Sequence, residues 1–202
     1  ASIRTSEGFP LTDSRGNVVS HLKGLFNRTA NLLAEGVRPI YIFDGKPHEL
    51  KKGTLELRRE RKEKAQDQWE HALEIGDLEM ARTKAQQTSR LTDEMVDDAK
   101  RLLHLMGVGW IQAPGEGEAQ ASHMARKGDV YGTASQDFDT LLFGCPLLIR
   151  NLAVSGKRKL PGKRVWINVK PEMIELGSTL AELEVDRSQL IDMAIMIGTD
   201  FN

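Results

Sequence analysis

The sequence predicts an α/β fold: a parallel or mixed central sheet with helices on both faces, and a helical excursion projecting from it. Three observations carry this expectation. Short runs of β-forming residues alternate with amphipathic segments of helical period. One internal stretch, residues 46–91, breaks that pattern, because only 13 of its 46 residues are hydrophobic against 40% overall. The chain of 202 residues, 28% charged, is long enough to bury a core and has ordinary globular composition. Collagen-like, low-complexity and largely disordered chains are thereby excluded.

The elements follow in order. Residues 19–35 read as a helix with Leu22, Leu25, Phe26, Leu32 and Leu33 as its apolar stripe, Ser20 as N-cap and Gly36 just past its end. Residues 39–43 (PIYIF) read as a buried strand. Within 46–91 the pattern is helical, with a break at Gly76-Asp77, yet too polar for a core. Thr92 caps a helix with Val96, Ala99, Leu102, Leu103 and Met106 on one face, stopped by Gly107. A strand at 108–112, a helix at 116–127 stopped by Gly128, and a strand at 130–135 come next. A short helix around 139–142 and strands at 147–150 and 165–169 follow, with a basic loop between those strands. Helices are expected at 171–177 and 186–197. The second (LIDMAIMI) is apolar on nearly every side and is expected to be buried.

The formal net charge of −1 hides segregation. Residues 46–64 carry a net +4, and residues 157–164 (KRKLPGKR) carry +5 with no acid, so the remainder carries −10. Cationic stripes of this kind bind phosphates even in a near-neutral chain. The single Cys145 cannot form an internal disulfide and suggests a reducing compartment. No run of apolar residues is long enough to span a membrane, and the N-terminus has no signal-peptide core. Both ends read as cut, so a piece of a longer protein is expected.

The acids are placed more tellingly than their number suggests. Asp44 follows one strand; Glu116 and Glu118 follow a second, at a helix start; Asp137 and Asp139 follow a third; Asp200 follows the last helix. Ligands of open α/β sheets bind beyond the carboxyl ends of strands. Each acid also has a local use: Asp44-Gly45 is a turn pair, Glu116 and Glu118 suit a helix N-terminus, and Asp137 suits an N-cap. Jointly they point to a cation, because six gathered carboxylates repel one another without one. Hard oxygen donors in that number suit Mg2+ or Mn2+, and two such ions about 4 Å apart hydrolyse phosphodiesters.

The segments IFDGKP, APGEGEAQA, SQDFDTLLFG and IGTDFN, in this order and with SHLKGLFNRT upstream, run along essentially the whole chain. In this the sequence resembles the flap endonucleases, structure-specific 5′ nucleases of DNA replication and repair, most closely the archaeal type. The resemblance implies a PIN-like nuclease core and two-metal hydrolysis of flap or branched DNA with two Mg2+ ions, Mn2+ able to substitute. It implies that Asp44, Glu116 and Glu118 hold one ion and Asp137, Asp139 and Asp200 the other. Residues 46–91 would be the helical arch at which the 5′ single strand passes. Lys51 and Arg58 would contact the scissile phosphate, with Lys62 four residues beyond Arg58 on the same helix. Arg28 and Arg4 would bind duplex DNA, with Lys46, Lys52, Arg61 and Lys62 as further DNA contacts. A sliding clamp reached through a C-terminal tail, an intracellular location and a monomeric state are also implied.

Departures from the family pattern are expected as well. A first strand with a further metal-ligand Asp, the C-terminal DNA-binding helical region and the clamp tail lie outside this chain, and Gly115 stands where many relatives have Ser. Two other readings stay open on the sequence. The chain is a branched-DNA-binding module without activity, or an unrelated Mg2+ phosphohydrolase of small molecules. The arch face also reads as a solvated, salt-bridged helix through Glu56–Arg59 and Glu60–Lys64, and the 157–164 loop as an exposed hairpin. No zinc motif or nucleophile elbow occurs, and Gly156–Arg164 mimics a P-loop with the wrong spacing. Trp69 suits packing between the two arch helices better than stacking on a base.

Overall fold

A computed structural model describes residues 9–87, 91–152, 156–159 and 166–198. Arg4, Asp200 and residues 160–164 of the expected basic loop lie outside them. The chain forms two compact units. The first comprises Ala1–Tyr41 and Lys51–Trp110, the second Ile42–Leu50 and Ile111–Asn202.

In the first unit, α1 (Ser20–Ala34) and α4 (Asp93–Leu105) pack together. Gly36 takes φ +80° and closes α1 as expected, with Val37 N donating to Leu32 O. Ser20 is not its cap. Val19 holds that position, while the Ser20 hydroxyl accepts from Leu11 N at 2.7 Å and is itself buried. The bond to a preceding chain segment outcompetes local capping. The expected apolar stripe is only half-covered, since Phe26 and Leu33 are exposed and the buried positions are Ser20, Gly24 and Thr29. Thr29 Oγ1 meets the Tyr41 hydroxyl at 2.7 Å. α4 matches expectation: Thr92 Oγ1 accepts from Met95 N at 3.2 Å, Leu103 is buried and Gly107 takes φ +69°.

Between these helices in the sequence come a 3-10 turn (Glu49–Lys51), α2 (Lys52–Glu74) and α3 (Leu78–Gln87). Helices α2 and α3 pack against each other, broken at Gly76 (φ +73°), and Asp77 caps α3 by accepting from Met80 N at 2.9 Å. Among the described residues, the buried side chains on the pair are Ala65, Ala72, Ala81 and Ala85. Such small side chains explain how so polar a stretch holds two helices together. Trp69 packs its ring edge-on to Phe9, with centroids 5.5 Å apart. It thus serves packing, though against Phe9. On the solvent face Arg59 pairs with Glu63 at 3.0 Å.

Strand β1 (Tyr41–Phe43) pairs with β2 (Trp110–Gln112). Tyr41 N donates to Gly109 O and Ala113 N to Phe43 O, the stepping of a parallel ladder. Beyond β2, the second unit holds α5 (Gly117–Lys127), β3 (Thr133–Ala134), α6 (Asp139–Leu142) and β4 (Leu147–Arg150). Gly128 at φ +78° ends α5 as expected. β3 and β4 are parallel, with Thr133 opposite Leu148. Leu141, Cys145, Leu147, Leu148, Met124 and Ala125 are the buried apolar residues around them. Cys145 is fully buried as a free thiol.

β5 (Gly156–Lys159) and β6 (Trp166–Val169) pair antiparallel, so Lys157, Arg158 and Lys159 of the expected basic loop lie in a strand. The helix expected at 171–177 is instead β7 (Glu172–Glu175) followed by α7 (Leu176–Leu183). β7 pairs antiparallel with β4, and Arg150 meets Glu172 at 3.3 Å in that register. Tertiary pairing overrides the helical propensity of Glu-Met-Ile-Glu. α8 (Arg187–Ile197) forms as expected with a capping box between Asp186 and Gln189. It is not buried, because Ile195, Met196 and Ile197 are 52%, 79% and 84% exposed. Apolar sequence on every side of a helix reports surface that favours cover, not cover that is present. The fold class, α/β with parallel and mixed sheets, is the one expected.

Candidate metal centre

The second unit gathers its carboxylates at the ends of β1, β2 and β3. Asp44 directly follows β1, and its Oδ1 accepts from Gly117 N at 2.7 Å, one of the unpaired amides at the start of α5. That bond fixes the Asp44 carboxylate against the helix N-terminus, where the dipole favours it. Two glycines make room. A Cβ at Gly117 would stand 2.8 Å from Asp44 Oδ1, and one at Gly45 would stand 2.2 Å from Ala113 O. Gln112 adds a cross-brace, its amide donating to Asp44 O at 2.7 Å and to Phe43 O at 3.2 Å.

Glu116 is the N-cap residue of α5, and Glu118 lies in its first turn. Glu118 reaches the residues after β3, where Ser135 Oγ donates to its Oε1. The Asp137 amide donates to the same hydroxyl at 3.0 Å. Carboxylate oxygens of Glu118, Asp137 and Asp139 all lie within 4.8 Å of one another. Glu118 is half-buried, and both aspartates are exposed.

The electrostatics match the crowding. Burial pushes the Glu118 carboxyl above its ordinary value; Asp137, Asp139 and Asp44 push it further the same way, and the Ser135 hydrogen bond opposes them. A carboxyl held protonated by burial and by neighbouring acids is one whose charged form a cation stabilises. All donors are hard carboxylate oxygens, two of them open to solvent, so the residues fit a hard divalent ion.

The structure therefore brings five of the six sequence-predicted acids into one unit, and Asp200 lies outside the described residues. Among the described residues the Glu118 carboxylate stands with those of Asp137 and Asp139. Asp137 is not the cap of α6, a position held by Phe138. Lys46 is exposed two residues past Asp44. Lys51, Lys52, Arg58, Arg61 and Lys62 lie on the 3-10 turn and α2 of the first unit. Arg28 is exposed on α1. Sequence reasoning missed Ser135, Gln112, Gly45 and Gly117 as parts of the site. Gly45 and Gly117 stand inside the segments IFDGKP and GEGEA, and a glycine beside each proposed ligand was the available signal.

Residues 2–65 match the XPG N-terminal domain, and residues 107–200 match the XPG I-region. The whole chain is 54% identical to flap endonuclease 1 of Pyrococcus furiosus and 56% identical to that of Staphylothermus marinus. It spans 59% and 57% of their lengths. Among solved structures, flap endonuclease-1 from Methanococcus jannaschii is 43% identical with a TM-score of 0.68, covering 100% of this chain and 60% of its own. The catalytic core of Rad2 in complex with DNA substrate is 25% identical with a TM-score of 0.65, covering 95% of this chain and 50% of its own. With both XPG regions present in order and such identity to archaeal sequences from end to end, the chain belongs to the flap endonuclease family.

Proposed function

We propose that the whole protein is a Mg2+-dependent, structure-specific 5′ nuclease that cuts flap or branched DNA near the junction of single and double strands, leaving a 5′-phosphate and a 3′-hydroxyl. The observation that carries this reading is the convergence of Glu118, Asp137 and Asp139, with Asp44 braced beside α5. Two bound divalent ions, Mg2+ or Mn2+, would supply the activated water and the charge stabilisation that phosphodiester hydrolysis needs. Asp44, Glu116 and Glu118 would hold one ion and Asp137, Asp139 and Asp200 the other, with Glu118 standing between the two sets. Ser135 fixes the Glu118 rotamer, and the Gly117 amide fixes that of Asp44. The α2–α3 pair would be the arch for the 5′ strand, where Lys51 and Arg58 orient and neutralise the scissile phosphate. Arg4, Arg28, Lys46, Lys52, Arg61 and Lys62 would contact the DNA backbone. The family implies a sliding clamp as a further partner and work on chromosomal DNA inside the cell.

Cleavage of a 5′-flap duplex by the whole protein, with and without Mg2+, tests the reading. Lys51→Ala and Arg58→Ala are each expected to lower kcat by roughly 10–100-fold, while circular dichroism stays unchanged. Flap cleavage that persists at full rate in excess chelator would exclude metal-dependent hydrolysis. Unchanged kcat in both variants would remove the arch cations from the mechanism.

A further inference from the structure

Helix α6, which begins with Asp139, is a single turn of four residues. One isolated turn does not hold itself, because helix nucleation is costly. Side-chain hydrogen bonds, most of them from other elements, hold it instead. Ser122 Oγ on α5 donates to Thr140 O at 3.2 Å and to Glu118 O at 2.7 Å. Thr140, fully buried, donates to Asp137 O at 3.1 Å. The far end is held from 45 residues away: Arg187 donates from Nε at 3.2 Å and from Nη2 at 2.9 Å to Leu142 O, the last carbonyl of the turn.

Arg187 is built for this contact. Its backbone is fixed as the first residue of α8 by the Asp186–Gln189 capping box, whose two bonds are both 2.8 Å. Its guanidinium lies over Gly144, where φ is +79° and a Cβ would stand 3.1 Å from Arg187 Cζ. The cation meets a helix C-terminus, whose partial negative charge suits it. The two elements so joined carry proposed ligands of the same ion: Asp139 opens α6, and Asp200 follows α8 by three residues in the sequence.

We propose that Arg187 is a positioning residue of the metal centre, a clamp that locks the α6 turn to α8 and so fixes where Asp139 presents its carboxylate. The inference rests on the reading of Asp139 as a metal ligand. Residues that orient ligands without touching the ion typically govern metal affinity.

The test compares wild type, Arg187→Ala, Arg187→Lys and Asp139→Asn in the whole protein. Mn2+ binding is followed by electron paramagnetic resonance, melting is measured in chelator, and flap cleavage is measured across a Mg2+ titration. Arg187→Ala is expected to weaken Mn2+ binding by about tenfold, with most of the loss recovered in Arg187→Lys. Its kcat should approach wild type at saturating Mg2+, with KM for DNA unchanged. Wild-type Mn2+ affinity in Arg187→Ala, alongside weakened binding in Asp139→Asn, would overturn the clamp and leave the metal centre standing. Weakened binding that merely tracks a lowered melting temperature, with no recovery in Arg187→Lys, would overturn it too. Undiminished Mn2+ binding in Asp139→Asn would remove the ligand reading and the clamp together.

Discussion

Asp137→Ala in the whole protein is expected to lower the rate of flap cleavage by on the order of 1,000-fold, several kcal/mol of lost transition-state stabilisation. The same substitution should leave the metal-free protein no less stable than wild type. Both halves follow from the carboxylate crowd. Burial, then Asp137, Asp139 and Asp44, raise the Glu118 pKa, so folding makes this carboxyl hold its proton more tightly. For such a group, stability falls as pH rises through its raised range. Above that range the charged Glu118 carboxylate therefore opposes folding until a cation binds. Removing Asp137 takes away one repulsive neighbour and one ligand together. Melting curves at pH 7 should show an unchanged or higher midpoint in chelator, and a smaller rise on adding Mg2+. Wild-type turnover by Asp137→Ala would remove this residue from the site; a large drop of the midpoint in chelator would show that Asp137 is chiefly structural.

Gly45→Ala is expected to cost about 3 kcal/mol of unfolding free energy, at the upper end of overpacking penalties. The new Cβ would lie 2.2 Å from Ala113 O, 2.6 Å from Pro114 C and 2.7 Å from Pro114 O. These are backbone atoms, so no rotamer change relieves the clash. The chain ends after β1 and β2 must move apart, and Asp44 moves with them, so metal affinity should fall as well. Gly53→Ala is the control of opposite sign. It lies in α2 with nothing within 4 Å of its Cβ position, and helix propensity predicts a gain of about 0.5–1 kcal/mol. Chemical denaturation of both variants decides the matter: equal stabilities would mean that the approach of Gly45 to Ala113 relaxes without cost.

The elements legible in the sequence are those whose signals are local. α4 and α5 announce themselves by Thr92, Gly107 and Gly128, residues whose capping geometry is set within one turn. The acids were legible as ligand candidates because each follows an apolar run, a position that depends only on chain order. What depended on distant partners was not. β7 takes its form from pairing with β4, more than twenty residues earlier. Ser20 bonds Leu11 instead of its own helix. Exposure of α8 was illegible because hydrophobicity reports what a helix needs, not what stands beside it. Likewise the standing of Glu118 with Asp137 and Asp139 follows from the reach of one side chain across to Ser135, which no spacing rule encodes.

The alanine seam of α2 and α3 has a consequence for the order in which the first unit comes apart. Among the described residues of these helices, 23 and 10 residues long, the fully buried side chains are the single methyl groups of Ala72, Ala81 and Ala85. A buried methyl contributes about 0.8 kcal/mol, whereas ordering each residue costs about 1–2 kcal/mol. The hairpin is thus held mainly by its own backbone ladder, and it breathes on a shorter free-energy leash than α4, which is anchored by Leu103. Amide hydrogens of α2 and α3 should exchange at least about tenfold faster than those of α4. Equal protection would show that the seam is stronger than its methyls imply. Opening of this pair alone would then be a local event within the first unit, well below the free energy of global unfolding.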